Sequence, residues 1–173
     1  MRLQRSISQI SCQRKISFVV KMKIREISNE LEKRDITRYI LEALPDWFAN
    51  YESREEHIQN SSDKMFFCAF KEEKPVGFLY IKETGKATVE IAVMGVLKEY
   101  HRNGIGRELF ECAKKAICKK GYSFIQVKTV QMDKYEDYDR TNRFYIALGF
   151  QEFEVFPLLW DEKNPCQIYI MAV

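Results

Sequence analysis

The sequence predicts one α+β or mixed α/β domain. Three observations lead there. Residues 65–96 hold three apolar runs joined by short turns, which favours antiparallel strands. Two amphipathic segments, 104–120 and 140–148, have helical spacing and end next to glycines. The 173 residues, 46% hydrophobic and 31% charged, suffice for one core without metals or disulfides.

The elements follow in order. FVVKMKIREI, 18–27, reads as a first strand, with Met22 and Ile24 among its alternating apolar positions. Asn29 is placed to cap a helix whose apolar stripe is Leu31, Ile36, Ile40, Leu41 and Leu44, and Pro45 ends it. An aromatic stretch, PDWFANYES, precedes a short polar helix from Arg54 to Gln59. MFFCAF, VGFLYI and ATVEIAVMGV read as strands, with EEKP and ETGK as their turns. The helix beginning at Gly104 presents Ile105, Leu109, Ala113, Ala116 and Ile117 on one face, and Gly121 suits its C-terminal cap. SFIQVKTV is a further strand, Arg140–Leu148 a helix capped by Gly149, and FQEFEVF and QIYIMAV the last two strands.

The net charge is +3, yet residues 1–21 contribute +5 with no acid, so the remainder carries −2. That body has no general attraction for nucleic acid. Residues 1–21 read as a basic, disordered leader, and 22–173 as the single domain. The leader lacks the apolar segment of a secretory signal, and no run is apolar enough to span a bilayer. Five scattered cysteines without a C-x-x-C pair argue against zinc and against a secreted disulfide scaffold. The expected setting is therefore cytoplasmic, without metal, membrane or nucleic-acid partners.

The chemistry-bearing stretch is His101–Phe110, HRNGIGRELF. Gly104 and Gly106 are poor helix formers standing where a helix begins. A strand, a bare loop and a helix N-terminus form an anion cradle, because first-turn amides lack partners and glycines remove obstructing Cβ atoms. A glycine-softened turn that merely starts a helix explains the same residues. The Walker pattern is absent, and the dinucleotide fingerprint fails at Leu109.

With the later segment TNRFYIALGF, this loop resembles the GNAT superfamily of acyl-CoA N-acyltransferases. HRNGIG stands at the family's [RQ]-x-x-G-x-[GA] loop, and TNRFYIALGF at its A-x-x-FYxxLGF helix. The resemblance covers about 22–173. It implies the GNAT fold, a mixed, mostly antiparallel sheet of six to seven strands flanked by about four helices. It also implies transfer of an acetyl group from acetyl-CoA to a primary amine, by direct attack through a tetrahedral intermediate and without metal. A non-catalytic acyl-CoA-binding regulatory module is the alternative.

Carried over residue by residue, the resemblance gives the pyrophosphate to the amides of Arg102, Asn103, Gly104, Ile105, Gly106 and Arg107. Met94, Gly95 and Val96 become the strand edge pairing with the pantetheine arm, Gln126–Val130 the opposite wall, and Thr141 a further contact. Tyr145, also at the cofactor, becomes the proton donor to the departing thiolate. His101 replaces the family's usual Arg or Gln, and Tyr138 stands where many relatives have Asn.

Glu90 has two readings: a base of raised pKa on a strand apolar on both faces, or a wet-end carboxylate opposite Lys82 or Lys86. His57 and His101 are alternative bases. For the acceptor, Trp47, Phe48, Tyr51 and Trp160 are candidate walls, and Asp46, Glu52, Asp161 and Glu162 candidate attractors of a cationic amine. A monomer or homodimer fits equally.

Overall fold

The structure is a computed structural model describing residues 22–173. The basic leader, and residues 18–21 of the first expected strand, lie outside the described residues. Seven strands form one sheet: β1 (Lys23–Glu26), β2 (Met65–Lys71), β3 (Lys74–Glu83), β4 (Thr88–Val96), β5 (Phe124–Val130), β6 (Gln151–Asp161) and β7 (Asn164–Ala172). Four helices flank it: α1 (Glu30–Glu42), α2 (Tyr51–Asn60), α3 (Ile105–Lys119) and α4 (Glu136–Leu148). The sheet order is β1-β2-β3-β4-β5-β7-β6, antiparallel everywhere except between β4 and β5. That parallel pair requires a crossover, which α3 supplies.

Each face of the sheet carries its own core. On one, Ile36, Ile40 and Leu41 of α1, with Leu44 just beyond its end, pack against Phe66, Phe78 and Tyr80. On the other, α3 buries Ile105, Leu109, Phe110, Ala113 and Ile117 against Leu79, Ile91, Ile125 and Val127, with Tyr145 of α4 joining them. Asn29 caps α1, its Oδ1 accepting the Glu32 amide at 2.9 Å. The expected stripe on α1 needs one correction: Leu31 is 67% exposed. At 100° per residue it lies about 140° from Ile36. Lys33 points inward instead, its ammonium donating to the carbonyls of Ser62 (3.1 Å) and Lys64 (2.7 Å).

Several boundaries moved. α2 begins at Tyr51 because Asn50 caps it, accepting the Ser53 amide at 2.8 Å. α4 begins a turn earlier than expected, at Glu136, with Glu136, Asp137 and Asp139 favouring its positive end. β6 runs on to Asp161, and its register with β7 breaks between Phe156 and Asp161. Gly121 ends α3 at φ 84°, with the Tyr122 amide returning to the Ile117 carbonyl.

Asn142 of α4 is fully buried and knots three elements together. Its Nδ2 donates to the carbonyls of Val130 (2.9 Å) and Tyr138 (2.7 Å), and its Oδ1 accepts from the Tyr169 hydroxyl at 2.8 Å. Asn142→Ala leaves the Tyr169 hydroxyl and the Val130 carbonyl short of partners, so unfolding stability in urea is expected to fall by about 2–4 kcal/mol.

Candidate functional site

The site begins where the sheet comes apart. β4 pairs with β5 only over Thr88–Ile91, against Phe124–Val127. β4 then continues beside β3 to Val96, while β5 continues beside β7 to Val130. Opposite Tyr80 and Ile81 the register shifts, leaving Ala92 as the extra residue of a bulge. From Ala92 onward the β5-facing edge of β4 has no strand partner. A cleft of about 1650 Å³ occupies this gap and extends to both faces of the sheet.

At the end of β4 the chain makes a 3-10 turn, Lys98–Tyr100, and reverses into α3. Arg102 (φ 62°) and Gly104 (φ 79°) both take the left-handed conformation. Gly104 is the N-cap, and the first helical bond runs from the Glu108 amide to its carbonyl at 3.0 Å. The amides of Ile105, Gly106 and Arg107 therefore have no helical partners. A Cβ on Gly104 would meet nothing within 4 Å, so its need for glycine is conformational. A Cβ on Gly106 would stand 3.0 Å from Phe144 Cζ and 3.2 Å from Met94 Cε, so its need is steric.

His101 has a role the sequence did not disclose. Its Nε2 donates to the Val96 carbonyl at 2.7 Å, and its ring packs edge-on to Trp47. The imidazole thus ties the loop to the end of β4. Tyr138, the departure noted on α4, donates its hydroxyl to the Trp47 carbonyl at 3.2 Å and joins the opposite walls of the cleft. Neither contact was legible, because each links residues through the folded loop and not through a helix or strand period.

Most of the expected residues meet here. Met94, Gly95, Val96, Arg102, Gly104, Ile105, Gly106, Arg107, Thr141 and Tyr145 line the cleft, as do Glu90, Trp47, Phe48 and Trp160. Asn103 and Tyr51 do not; Tyr51 is 65% exposed, with Arg54 over its ring. Two of the lining residues also serve the fold. Arg107 donates to the Ala147 carbonyl at 2.9 Å, closing the end of α4. A Cβ on Gly95 would press on Ile40 (3.1 Å) and Leu44 (3.2 Å), so its bareness admits α1.

Thr129 of β5 was not singled out by sequence. It is 3% exposed and lines the cleft, and its hydroxyl has no hydrogen-bond partner among the described residues. Tyr145 is also buried, packed against Phe144 and Phe150, and burial pushes its phenol up to about 12, with Glu90's charge adding to the rise. Glu90 is 4% exposed and bridges two ammonium groups, Lys82 at 3.2 Å and Lys128 at 2.8 Å, with Gln126 Nε2 at 3.1 Å. Lys82 stands opposite, as one reading expected, whereas Lys86 takes no part.

A match of residues 62–152 to the acetyltransferase (GNAT) domain decides the family. The chain belongs to the GNAT acetyltransferases. Three solved structures share its fold. A protein from Desulfovibrio desulfuricans, described as an acetyltransferase of the GNAT family, is 17% identical with a TM-score of 0.73, over 88% of this chain and 99% of its own. The PaiA N-acetyltransferase of Thermoplasma acidophilum, in complex with coenzyme A, is 18% identical with a TM-score of 0.67, over 88% and 99%. A GNAT acetyltransferase of Elizabethkingia anophelis with acetyl-CoA bound is 13% identical with a TM-score of 0.68, over 88% and 98%. No curated protein matches the chain by sequence. Within this GNAT fold, no helix of the described residues is long and apolar enough to cross a membrane.

The two loop glycines should respond differently to alanine. Gly104→Ala meets only backbone strain and is expected to lower stability by about 1–2 kcal/mol. Gly106→Ala carries no such strain; it must push the tips of Phe144 and Met94 aside by a few tenths of an ångström, while alanine favours the helix, so it should destabilise less. Paired urea titrations of the two variants check the order.

Proposed function

We propose that this GNAT protein transfers the acetyl group of acetyl-CoA to a primary amine by direct attack. The observation that carries the reading is the parted sheet: an unpaired β4 edge running into the unpartnered amides of α3. An extended ligand with amide groups satisfies that edge, and a diphosphate satisfies the amides. The partnerless Thr129 hydroxyl, buried in the same gap, fits a ligand with hydrogen-bonding groups. Two GNAT proteins of this fold are described with coenzyme A or acetyl-CoA bound, which favours the same ligand here.

When bound, acetyl-CoA supplies an activated thioester, attacked through a tetrahedral intermediate that releases the thiol. The protein's own groups do the rest. The first-turn amides from Ile105 to Arg107, with the Arg102–Gly104 loop, hold the diphosphate. Met94–Val96 hydrogen-bond the pantetheine arm, and Thr141 lies along its course on α4.

Glu90 takes the proton of the acceptor ammonium through water, since its two oxygens already bridge Lys82 and Lys128. His57 is the second group able to accept a proton, because burial holds its imidazole below the usual value and so neutral at pH 7. Trp47, Phe48 and Trp160 form the acceptor walls. Tyr145, protonated throughout the working range, donates to the departing sulfur.

Two measurements test this. Gly104→Glu places bulk and negative charge in the diphosphate position, and calorimetry is expected to show acetyl-CoA binding lost. Unchanged affinity would reject the assigned pocket. Tyr145→Phe is expected to lower kcat about 100-fold with little change in KM for acetyl-CoA. With a phenol at about 12, the group keeps its proton below that pH, so the loss should be the same from pH 6 to 9. Binding without thiol release on any amine would favour the regulatory module.

A further inference from the structure

The charge around Glu90 points to the kind of amine this protein acetylates. Lys82 faces Glu90 across the β3–β4 pair, Gln126 faces it across β4–β5, and Lys128 stands two residues further along β5, on the same face. One carboxylate therefore meets two ammonium groups, and the cluster keeps one positive charge. Each lysine uses a single contact to Glu90 and retains further N–H donors. Both line the cleft, with 41% of the Lys82 side chain and 25% of the Lys128 side chain exposed.

The acids expected to attract a cationic amine are placed otherwise. Asp46 is paired with Lys98 and lies outside the cleft lining, as do Glu52 and Glu162. Asp161 lines the cleft and stays ionised, but its oxygens are taken up in the β6–β7 turn, accepting the Lys163 and Asn164 amides and the Asn164 side chain. On α2, exposed Glu56 lines another part of the cleft with its charge unpaired, since Lys64 is taken by Asp63 at 2.7 Å, so the excess positive charge is confined to the Glu90 cluster. A polyamine brought to the Glu90 cluster meets its excess positive charge in a partly buried setting, where screening is weak.

Resting on the acetyltransferase reading, we propose that the acceptor is a small molecule carrying both a primary amine and a carboxylate. Lys82 and Lys128 bind the carboxylate by charge-assisted hydrogen bonds, and the amine is left to face the thioester beside Tyr145. The specificity lies in the uncompensated lysine.

The test uses matched acceptors, L-amino acids and their carboxamides, together with spermidine and an aminoglycoside. Thiol release from saturating acetyl-CoA is the readout. An amide's amine is the weaker base, so more of it is neutral at a given pH and intrinsic reactivity favours the amide. Preference for the acid must then come from binding. At least one acid is expected to exceed its amide about tenfold in kcat/KM. That ratio should fall toward one in Lys128→Met and in Lys82→Met, and survive in Lys128→Arg. Because the ratio is taken within one variant, partial loss of folded protein does not change it. Preference of the wild type for amides or polyamines overturns the carboxylate inference alone, as does a ratio unaltered in both methionine variants. Acetyl-CoA binding with no thiol release on any acceptor overturns the acetyltransferase reading itself, and this inference with it.

Discussion

Everything functional in this molecule follows from the failure of β4 and β5 to stay paired beyond Ile91 and Val127. A continuous ladder would satisfy every main-chain group and leave no cleft. The bulge at Ala92 turns the last residues of β4 away, while β5 is held straight by its ladder with β7 as far as Val130. The result is a wedge of unsatisfied backbone inside a sheet, which is costly unless something fills it. α3 starts at the mouth of that wedge, so the unpaired strand edge and the unpaired helix amides share one hollow.

The wedge also joins the two cores. Tyr145 belongs to the α3 and α4 face, whereas Glu90, Lys82 and Lys128 sit with α1 and α2 on the other side. In an intact sheet these groups would be separated by the strands. Here they share one cleft, and Glu90's charge contributes to the raised phenol of Tyr145. His101 and Tyr138 keep the opening to one shape, the first fastening Val96 to the loop and the second fastening α4 to the segment that carries Trp47.

The layers of this design differ in how plainly the sequence carries them. Local rules give the strands, the α3 boundaries and Asn29 as a cap, because each depends on neighbours a few residues away. Gly104 and Gly106 were visible as a pair, yet their separate reasons, a left-handed φ and the ring of Phe144, needed the fold. The start of α4 was missed because Tyr135 offers no capping side chain. Lys128 was invisible as a partner of Glu90, since a parallel register across a helical crossover leaves no local trace. Gly95 was legible as part of a strand edge, but that its bareness also seats Ile40 and Leu44 needed the fold.

In the proposed reaction, burial sets the terms of the last proton transfer. An ordinary thiol near 8.5 would leave as a thiolate too weak to take a proton from a phenol near 12, a gap of about 3.5 units or roughly 5 kcal/mol. The same dry surroundings raise thiols too. Burial pushes Cys166, at the Val130 pairing position on β7, up to about 11, and Cys68 higher still. A coenzyme A thiolate forming in the cleft is subject to the same penalty, which draws the two groups toward parity. Tyr145 then acts first as a hydrogen-bond donor to a growing negative charge and releases its proton late. A better-solvated tyrosine would be the stronger acid, but the water that solvated it would also stabilise the thiolate and hydrolyse the thioester.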